Sequence, residues 1–216
     1  MRSEENARWL ANFDLADDFK PMNTPRTMDA RALALELDRL LPANRNLVYD
    51  NGNFALVMPY LSVPGPSHFK QASDFASIGM GFGTAMGFAV GTPDRTTVLL
   101  LGDGSFLMTM SELETVAREN IPLVIVLMND CAYGAEVHFL KERGMPVQLT
   151  EFPDIDYAPV AEAFGFQTAT IRTLDELQSL APLLAEPDAI ICLMVCSAMN
   201  LPMPSLMRRP ASITCG

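Results

Sequence analysis

The chain of 216 residues is long enough for one well-buried domain and short for two. With 49% hydrophobic and 19% charged residues it has the composition of a globular protein, which excludes a disordered or collagen-like chain. Its formal net charge of −11, from 15 Lys and Arg against 26 Asp and Glu, excludes a general nucleic-acid binder and a polybasic membrane-surface protein.

The predicted elements alternate between helices and strands along the chain. Residues 1–24 are polar and contain Pro21, and we interpret them as a linker or lead-in, followed by a domain over 25–200 and a C-terminal tail over 201–216. The spacing of apolar residues predicts helices over 27–41, 76–90, 111–119, 133–143, 157–164 and 174–184. Strands are predicted over 46–50, 96–101, 122–128, 167–171 and 189–195.

The sequence shows no signal peptide, no membrane-spanning stretch and no disulfide framework. The first six residues are charged and lead into no signal-peptide core, and the apolar stretch 189–199 is shorter than the roughly 20 residues of a membrane helix. The four cysteines form no CxxC pair and are too few for a disulfide framework. We therefore expect a reduced, cytoplasmic protein that binds neither membrane nor nucleic acid.

Several predicted strands are continuous runs of Val, Ile and Leu, which is typical of strands buried on both faces. Together with the alternating helices they predict an α/β fold, a doubly wound and mostly parallel sheet with helices on both faces. Ligands of such sheets bind beyond the carboxyl ends of the strands. Two segments that directly follow predicted strands, 102–105 and 129–134, are therefore the candidate site.

The first segment presents a carboxylate at a strand end. Asp103 stands between Gly102 and Gly104, where the small residues let backbone amides approach an anion, and Ser105 adds a hydroxyl. Taken alone, such a sequence is more often a turn than a metal site. The Walker, GxGxxG, HExxH and GxSxG patterns are absent, which leaves the common nucleotide, zinc and serine-hydrolase motifs without support.

The second segment makes a metal site the better interpretation. If its strand neighbours the first, Asp130 and Asp103 converge on one hard cation, with a loop carbonyl as a further ligand. Oxygen-only ligands favour magnesium or calcium over zinc. Because magnesium commonly keeps phosphate oxygens among its ligands, an acidic protein can hold a diphosphate in this way.

At this point the sequence resembles the thiamine-diphosphate-binding (pyrophosphate, C-terminal) domain of the family that includes acetolactate synthase, benzoylformate decarboxylase and pyruvate decarboxylase. The resemblance covers about residues 28–200. It rests on four stretches in order, 102–106 (GDGSF), 112–115 (ELET), 120–122 (NIP) and 127–134 (LMNDCAYG). The resemblance implies the α/β fold of that domain, with thiamine diphosphate and Mg²⁺ as cofactors.

The resemblance also implies the metal ligands. Asp103 would bind magnesium, and alignment on Tyr133 and Gly134, which we include among the cofactor-binding residues, places further ligands at Asp130 and at the carbonyl of Ala132. The family usually has Asn where this chain has Asp130. This departure keeps an oxygen ligand but adds negative charge beside the diphosphate.

Further cofactor contacts follow from the same alignment. Asn51-Gly52-Asn53 resembles the family's loop that touches the diphosphate, although a His common at the next position is Phe54 here, and Gly102, Gly104 and Ser105 complete that set. Gly79 would offer backbone contacts to the aminopyrimidine ring. Met80 would be the bulky residue under the cofactor that enforces its bent shape, although without the family context it would be taken for a core residue.

Two side chains are candidate catalytic residues. Glu136 coincides with a glutamate that assists catalysis in pyruvate-decarboxylase-like members, the alternative being a helix N-terminal glutamate stabilised by the dipole. His138 is a candidate because it is one of only two histidines in the chain, the alternative being a surface or packing histidine. His68, in the loop before the aminopyrimidine segment, is a weaker candidate for a residue that faces substrate.

In this family activation also needs a glutamate from a pyrimidine domain, which we do not find in this chain. We therefore expect part of an enzyme acting on 2-oxo acids, inactive alone, in a homo- or hetero-oligomer with a pyrimidine domain from a partner chain or from a missing part of the same protein. Two alternatives stay open: a non-catalytic cofactor-binding or interaction module, and an α/β domain for another phosphorylated ligand.

Overall fold

A computed structural model describes residues 4, 8, 12–186 and 188–196 of the chain. The predicted tail at 201–216 and most of the first 11 residues lie outside the described residues. Within the predicted lead-in, a short 3-10 helix covers Leu15–Asp18. Leu15 and Phe19 pack against the core, and the Phe19 ring meets the edge of Tyr60 at 5.5 Å between centroids.

The centre of the molecule is a six-stranded sheet in which every strand pairing is parallel. The strands run in the order β2-β1-β3-β4-β6-β5 across the sheet. Their bounds are β1 Arg45–Tyr49, β2 Phe69–Gln71, β3 Thr96–Gly102, β4 Leu123–Asn129, β5 Gln167–Ile171 and β6 Ile190–Cys196. The predicted doubly wound α/β fold is confirmed, and the described sheet is wholly rather than mostly parallel.

Helices connect the strands and cover the sheet. Their bounds are α1 Ala30–Leu40, α2 Met80–Gly91, α3 Asp103–Thr109, α4 Glu112–Arg118, α5 Gly134–Glu142, α6 Ala158–Ala163, α7 Leu174–Ser179 and α8 Ala181–Leu184. Short 3-10 helices cover Asn53–Tyr60, Pro66–His68, Asp74–Ala76 and Gln148–Thr150 as well. Among the described residues no helix is long and apolar enough to span a membrane.

Two helical predictions need correction. A single helix over 174–184 was expected, but the structure divides it into α7 and α8 at Leu180. Pro182 has no N–H to donate to the carbonyl one turn earlier, so the α-helical ladder cannot run through this point. Helix α3, which begins at Asp103 where only a loop was expected, was missed because its seven residues show no helical periodicity.

The core lies on both faces of the sheet because neighbouring residues of one strand point in opposite directions. In β3, Val98 and Leu100 belong to the apolar cluster on one face, while Leu99 and Leu101 belong to the cluster on the other. All four are at most 1% exposed. This two-sided burial is the reason why the central strands are continuous apolar runs. Because the strands are parallel, the loops that follow β1, β3 and β4 lie at the same end of the sheet.

Candidate cofactor and metal site

One cavity, of about 110 Å³, lies at the carboxyl ends of β1, β3 and β4. It lies where the sequence predicted a site, and most of the predicted site residues line it. These are Asn51, Gly52, Asn53, Gly102, Asp103, Gly104, Ser105, Asp130, Ala132, Tyr133, Gly134 and Glu136. Gly79, Met80 and His138 are the predicted site residues that are not among its lining.

Asp103 is the most buried acidic group of the cavity, with 1% of its surface exposed. It follows β3 directly, and each carboxylate oxygen accepts one backbone hydrogen bond. Gly104 N–H donates to Oδ1 at 2.8 Å, and Ala132 N–H donates to Oδ2 at 3.1 Å. Because an ionised carboxylate has about four acceptor positions, both oxygens keep capacity for a cation.

Asp130, at the end of β4, is the second acidic group. Burial, together with the negative charge of Asp103, raises the pKa of Asp130 to about 7. Burial likewise raises the pKa of Asp103 to about 6, although backbone N–H groups, among them those of Gly104 and Ala132, oppose the shift. The protein has therefore brought two carboxylates together at a site where their ionised forms are unfavourable without a counter-charge.

The residues present fit a hard divalent cation. None of the residues that line the cavity is Lys, Arg or His, so no basic side chain there neutralises Asp103, Asp130 and Glu136. In the described part of the chain no group of three or more Asp, Glu, His or Cys side chains surrounds one point. A cation between Asp103 and Asp130 would thus complete its shell with carbonyl and phosphate oxygens, as Mg²⁺ commonly does.

Two glycines let the loops close around this acidic pair. A Cβ on Gly104 would overlap the ring of Tyr133, and a Cβ on Gly134 would overlap Oδ2 of Asp130. The Tyr133 ring also packs edge-on against Phe152, with 4.7 Å between centroids. The start of α3 therefore packs against the loop before α5, and the start of α5 packs against Asp130 at the end of β4.

The loop after β1 forms another wall. Both amide hydrogens of Asn51 are used within the protein, since its Nδ2 donates to the carbonyls of Ala72 at 3.0 Å and Ser77 at 2.7 Å. Phe54, at the position where the family commonly has His, is 7% exposed and lies under Gly102. The wall is therefore apolar at the position where the resemblance leads us to expect a histidine. On the opposite side of the cavity, Asn53 lies close to Gly134.

The segment predicted to face the aminopyrimidine ring borders the cavity. Ile78 lines the cavity, and Gly79, in a left-handed conformation with φ of 91°, precedes α2. A Cβ on Gly79 would come within 2.8 Å of Thr109 Cγ2, so this turn packs against the end of α3. Met80 is 44% exposed and is therefore not a core residue in this chain.

The catalytic candidates differ in position. Glu136 is exposed in the first turn of α5 and lines the cavity. His138 is half-buried on the same helix but does not line the cavity. His68 lies away from the cavity lining, with its Nδ1 3.0 Å from the carbonyl oxygen of Arg45.

Sequence reasoning did not assign five residues that line the cavity. These are Ala30, Phe54, Ile78, Met128 and Ala135. Ala30 begins α1, more than 70 residues before Asp103 in the chain, and no local motif marks it. Ile78 and Ala135 are sequence neighbours of predicted site residues. The sequence did not show that their own side chains face the cavity.

Comparisons with known proteins identify the family of this chain. A family model described as "Thiamine pyrophosphate enzyme, C-terminal TPP binding domain" matches residues 50–186. The acetolactate synthase isozyme 2 large subunit of Escherichia coli (strain K12) is 30% identical over 164 residues, which are 74% of this chain and 30% of that protein. Pyruvate decarboxylase of Neurospora crassa is 28% identical over 138 residues, 64% of this chain and 23% of that protein.

The fold is shared with solved structures. The thiamine diphosphate-dependent 4-hydroxybenzoylformate decarboxylase of Rhodococcus jostii RHA1 superposes with a TM-score of 0.76 at 21% identity, covering 84% of this chain and 35% of that one. Benzoylformate decarboxylase of Polynucleobacter necessarius gives the same TM-score and identity. The chain thus spans about a third or less of the length of these relatives.

Proposed function

The chain belongs to the thiamine pyrophosphate enzyme family, of which it carries the C-terminal cofactor-binding domain, and we propose on this basis that it binds thiamine diphosphate through Mg²⁺ as one part of a 2-oxo-acid decarboxylase or carboligase. The observation that carries the proposal is the pair of a buried Asp103 and a half-buried Asp130 in a cavity without a basic lining residue. A diphosphate can approach such a cavity only together with a cation, because its own charge would otherwise be repelled.

The proposal assigns a task to several of the lining residues. Asp103, Asp130 and the carbonyl of Ala132 would hold the magnesium ion. The small residues Gly102 and Gly104, together with Ser105, leave room for the diphosphate beside that ion. Bound there, thiamine diphosphate supplies a reactive thiazolium carbon and an electron sink for the chemistry of 2-oxo acids.

The remaining residues would act on the organic part of the ligand. Gly79 and Met80 follow the wall residue Ile78 and would contact the aminopyrimidine ring. Glu136, exposed at the cavity, would hold a proton near the substrate, since a carboxyl group within reach of the reacting atoms can act as an acid or base. His138 stays a prediction for the same step.

The cavity is too small to enclose the whole cofactor. Sites that enclose a small molecule measure about 300–1,000 Å³, against about 110 Å³ here. Met80, which follows Gly79, and Met108 and Met110, at the end of α3 that packs on Gly79, are each at least 39% exposed. We propose that a pyrimidine domain covers this face and completes the site in a homo- or hetero-oligomer, supplied by another chain or by another part of the same protein.

The free state of three described cysteines, Cys131, Cys192 and Cys196, suits a reducing compartment, and we propose a cytoplasmic location. The fourth, Cys215, lies outside the described residues.

Calorimetry tests the binding step. We expect the chain to bind thiamine diphosphate in the presence of Mg²⁺ and not in the presence of EDTA. Asp103→Asn should reduce this affinity at least about tenfold, because a charged ligand to the ion is lost. Asp94→Asn, an exposed control at the opposite edge of the sheet, should bind as the parent does. Equal binding with EDTA would overturn the metal-mediated site.

A turnover assay separates the enzyme part from a non-catalytic module, which the incomplete cavity also allows. The chain alone and the natural form that contains a pyrimidine domain are each supplied with thiamine diphosphate, Mg²⁺ and 2-oxo acids. We expect decarboxylation or carboligation only in the second sample. Inactivity of both, with the cofactor bound, would favour the non-catalytic module.

A further inference from the structure

Asp50 is a buried carboxylate that the proposed chemistry does not use. It directly follows β1, and it is 0% exposed. Its oxygens accept hydrogen bonds from the backbone N–H groups of Gly79 at 2.6 Å, Gly81 at 3.4 Å and its neighbour Asn51 at 2.8 Å. Burying a carboxylate is unfavourable unless such bonds satisfy it, so this arrangement fixes the position of its donors.

The contact between Asp50 and the start of α2 is unusually close. A Cβ on Gly81 would come within 2.7 Å of Asp50 Cβ and 3.1 Å of its Cα. Only glycine permits this approach, because any side chain would push the helix start away from the end of β1. The first turn of α2 is therefore placed by the Asp50 backbone as well as by its carboxylate.

The residue that follows holds the rest of the same loop. Asn51 donates both amide hydrogens to the carbonyls of Ala72 and Ser77. Ala72 N–H donates in addition to the carbonyl of Tyr49 in β1, at 2.8 Å. The loop 72–79 is thus attached at both ends to the end of one strand.

This loop needs such attachment because its own backbone is strained. Phe75 and Ala76 have φ values of 56° and 52°, two consecutive non-glycine residues in the left-handed region. The Phe75 side chain is fully exposed and gives the loop no packing. Strained conformations of this kind persist only where the surrounding structure imposes them.

We propose that Asp50 is a positioning residue that, with Asn51, holds the loop 72–79 and the start of α2 as the cavity wall for the aminopyrimidine end of thiamine diphosphate. Asp50 does not line the cavity itself, whereas Ile78 does. Its effect reaches the ligand through the backbone from Ser77 to Gly81. This inference rests on the proposed function, and it goes further by separating the wall for the ring from the acidic site for the diphosphate.

The test compares two ligands, thiamine diphosphate and inorganic pyrophosphate, each with Mg²⁺, by calorimetry. Asp50→Asn keeps the size of the side chain but turns one acceptor into a donor that opposes a backbone N–H. We expect thiamine diphosphate to bind at least about tenfold more weakly, the effect of about one lost charged hydrogen bond, and pyrophosphate affinity to stay within about twofold. An equal loss for both ligands, or no loss for either, overturns the proposal.

The control variant is Thr173→Ala, which removes the capping box of α7, far along the chain from the cavity. It should lower stability and leave both affinities unchanged. If Asp50→Asn does not fold, Gly81→Ala replaces it, because its Cβ separates the same two segments. The same selective loss of thiamine diphosphate affinity is expected there, and unchanged affinity overturns the proposal.

Amide hydrogen exchange gives a readout that does not depend on a ligand. In the metal-free protein, Asp50→Asn should speed exchange over residues 77–81, while Thr173→Ala should not. Should the parent bind neither ligand, the proposed function fails, and exchange still decides whether Asp50 holds the loop. Unchanged exchange at 77–81 overturns the positioning role.

Discussion

Asp103 is buried and Asp130 is half-buried at the ends of neighbouring strands, and the charge of Asp103 makes ionisation of Asp130 less favourable. Both have a raised pKa, and the larger cause in each case is burial. A cation reverses this balance because it stabilises the ionised form of both groups. The same two residues thus couple the charge state of the site to the stability of the domain.

We expect the metal-free protein to lose stability as the pH rises from about 4 to about 7. An Asp has a pKa of 3.8 when unperturbed, against about 6 for Asp103 and about 7 for Asp130 in the fold. Between these values the folded state binds more protons than the unfolded state, so the free energy of unfolding falls with pH. Above about pH 7 both the folded and the unfolded state have lost these protons. The pair then no longer makes the free energy of unfolding depend on pH.

Thermal unfolding in EDTA at a series of pH values from 4 to 8 measures this slope, and saturating Mg²⁺ should restore the stability lost at the higher pH. The pH profile of the parent should be compared with that of Asp130→Asn. Other titrating groups contribute equally to both proteins, so a difference between the two profiles reports on the acidic pair. A parent and variant with parallel pH profiles would show that the acidic pair is not the cause.

Asp130→Asn has a second expected consequence. Asn keeps an oxygen that can ligate a metal and removes one negative charge from beside Asp103. We therefore expect the variant to melt several degrees higher than the parent in EDTA at pH 8, and to bind Mg²⁺ more weakly. The exposed control Asp94→Asn should change neither quantity, and a variant that melts lower in EDTA would contradict the repulsion between the two carboxylates.

Some site residues could be predicted from the sequence and others could not, for a physical reason. Asp103 and Asp130 each follow a recognisable apolar strand, so their place at the carboxyl edge could be inferred. Ala30 and Phe54 reach the cavity through the packing of α1 and of the 3-10 helix Asn53–Tyr60, which no local pattern specifies. Asp50 was predicted only as the last residue of a strand, because its hydrogen-bond donors Gly79 and Gly81 lie about 30 residues further on.

At the scale of elements, predictability followed burial. Strands β3 and β4 are buried except for Gly102 at the end of β3 and consist mainly of apolar residues, so both were predicted to within one residue of their observed ends. Strand β2, three residues at the sheet edge with the sequence Phe-Lys-Gln, has no such signal and was missed. The strand conformation of β2 depends on its pairing with β1 rather than on its own residues. The helical conformation of α3 likewise depends on its position after β3.

The start of α5 offers a test of how elements shape the site. Gly134→Ala would place a Cβ on Oδ2 of Asp130, so either the helix or the carboxylate must move. We expect a loss of stability of about 1–3 kcal/mol, the usual cost of overpacking, and weaker Mg²⁺ binding. Denaturant unfolding and calorimetry give the two quantities.

Gly83→Ala is the matched control for this substitution. Gly83 lies in α2 with open space around the added methyl group, and alanine favours a helix over glycine by about 1 kcal/mol. It should therefore raise stability and leave Mg²⁺ binding unchanged. Equal effects of the two substitutions would show that the close approach at Gly134 is unimportant.

At the scale of the whole molecule, the net charge of −11 and the acidic cavity pose one problem. A diphosphate brings further negative charge to a surface that already repels it, so anion and cation must bind together. The exposed side chains of Met80, Met108 and Met110 are the basis of the second part of the proposal, a pyrimidine domain that covers the ring end of the ligand. In the proposed function, the ion would hold the ligand and a pyrimidine domain would enclose it.

This coupling predicts how stability responds to the two ligands. Each should raise the affinity for the other by the same factor, because the coupling free energy between two binding sites is reciprocal. Mg²⁺ and thiamine diphosphate together should therefore raise the melting temperature by more than the sum of their separate effects. At ligand concentrations about 100-fold above the dissociation constant the gain is about 2.7 kcal/mol, or roughly 5–10 °C for a domain of this size.

Thermal unfolding with each ligand alone and with both measures this coupling. NaCl at the ionic strength of the MgCl₂ sample shows what charge screening alone contributes, which for a buried pair should be small. Asp103→Asn should abolish the excess shift, because without its charge the ion no longer links the diphosphate to the protein. Purely additive shifts in the parent would mean that the diphosphate and the cation bind at separate places, and that the acidic pair at the ends of β3 and β4 does not hold the cofactor.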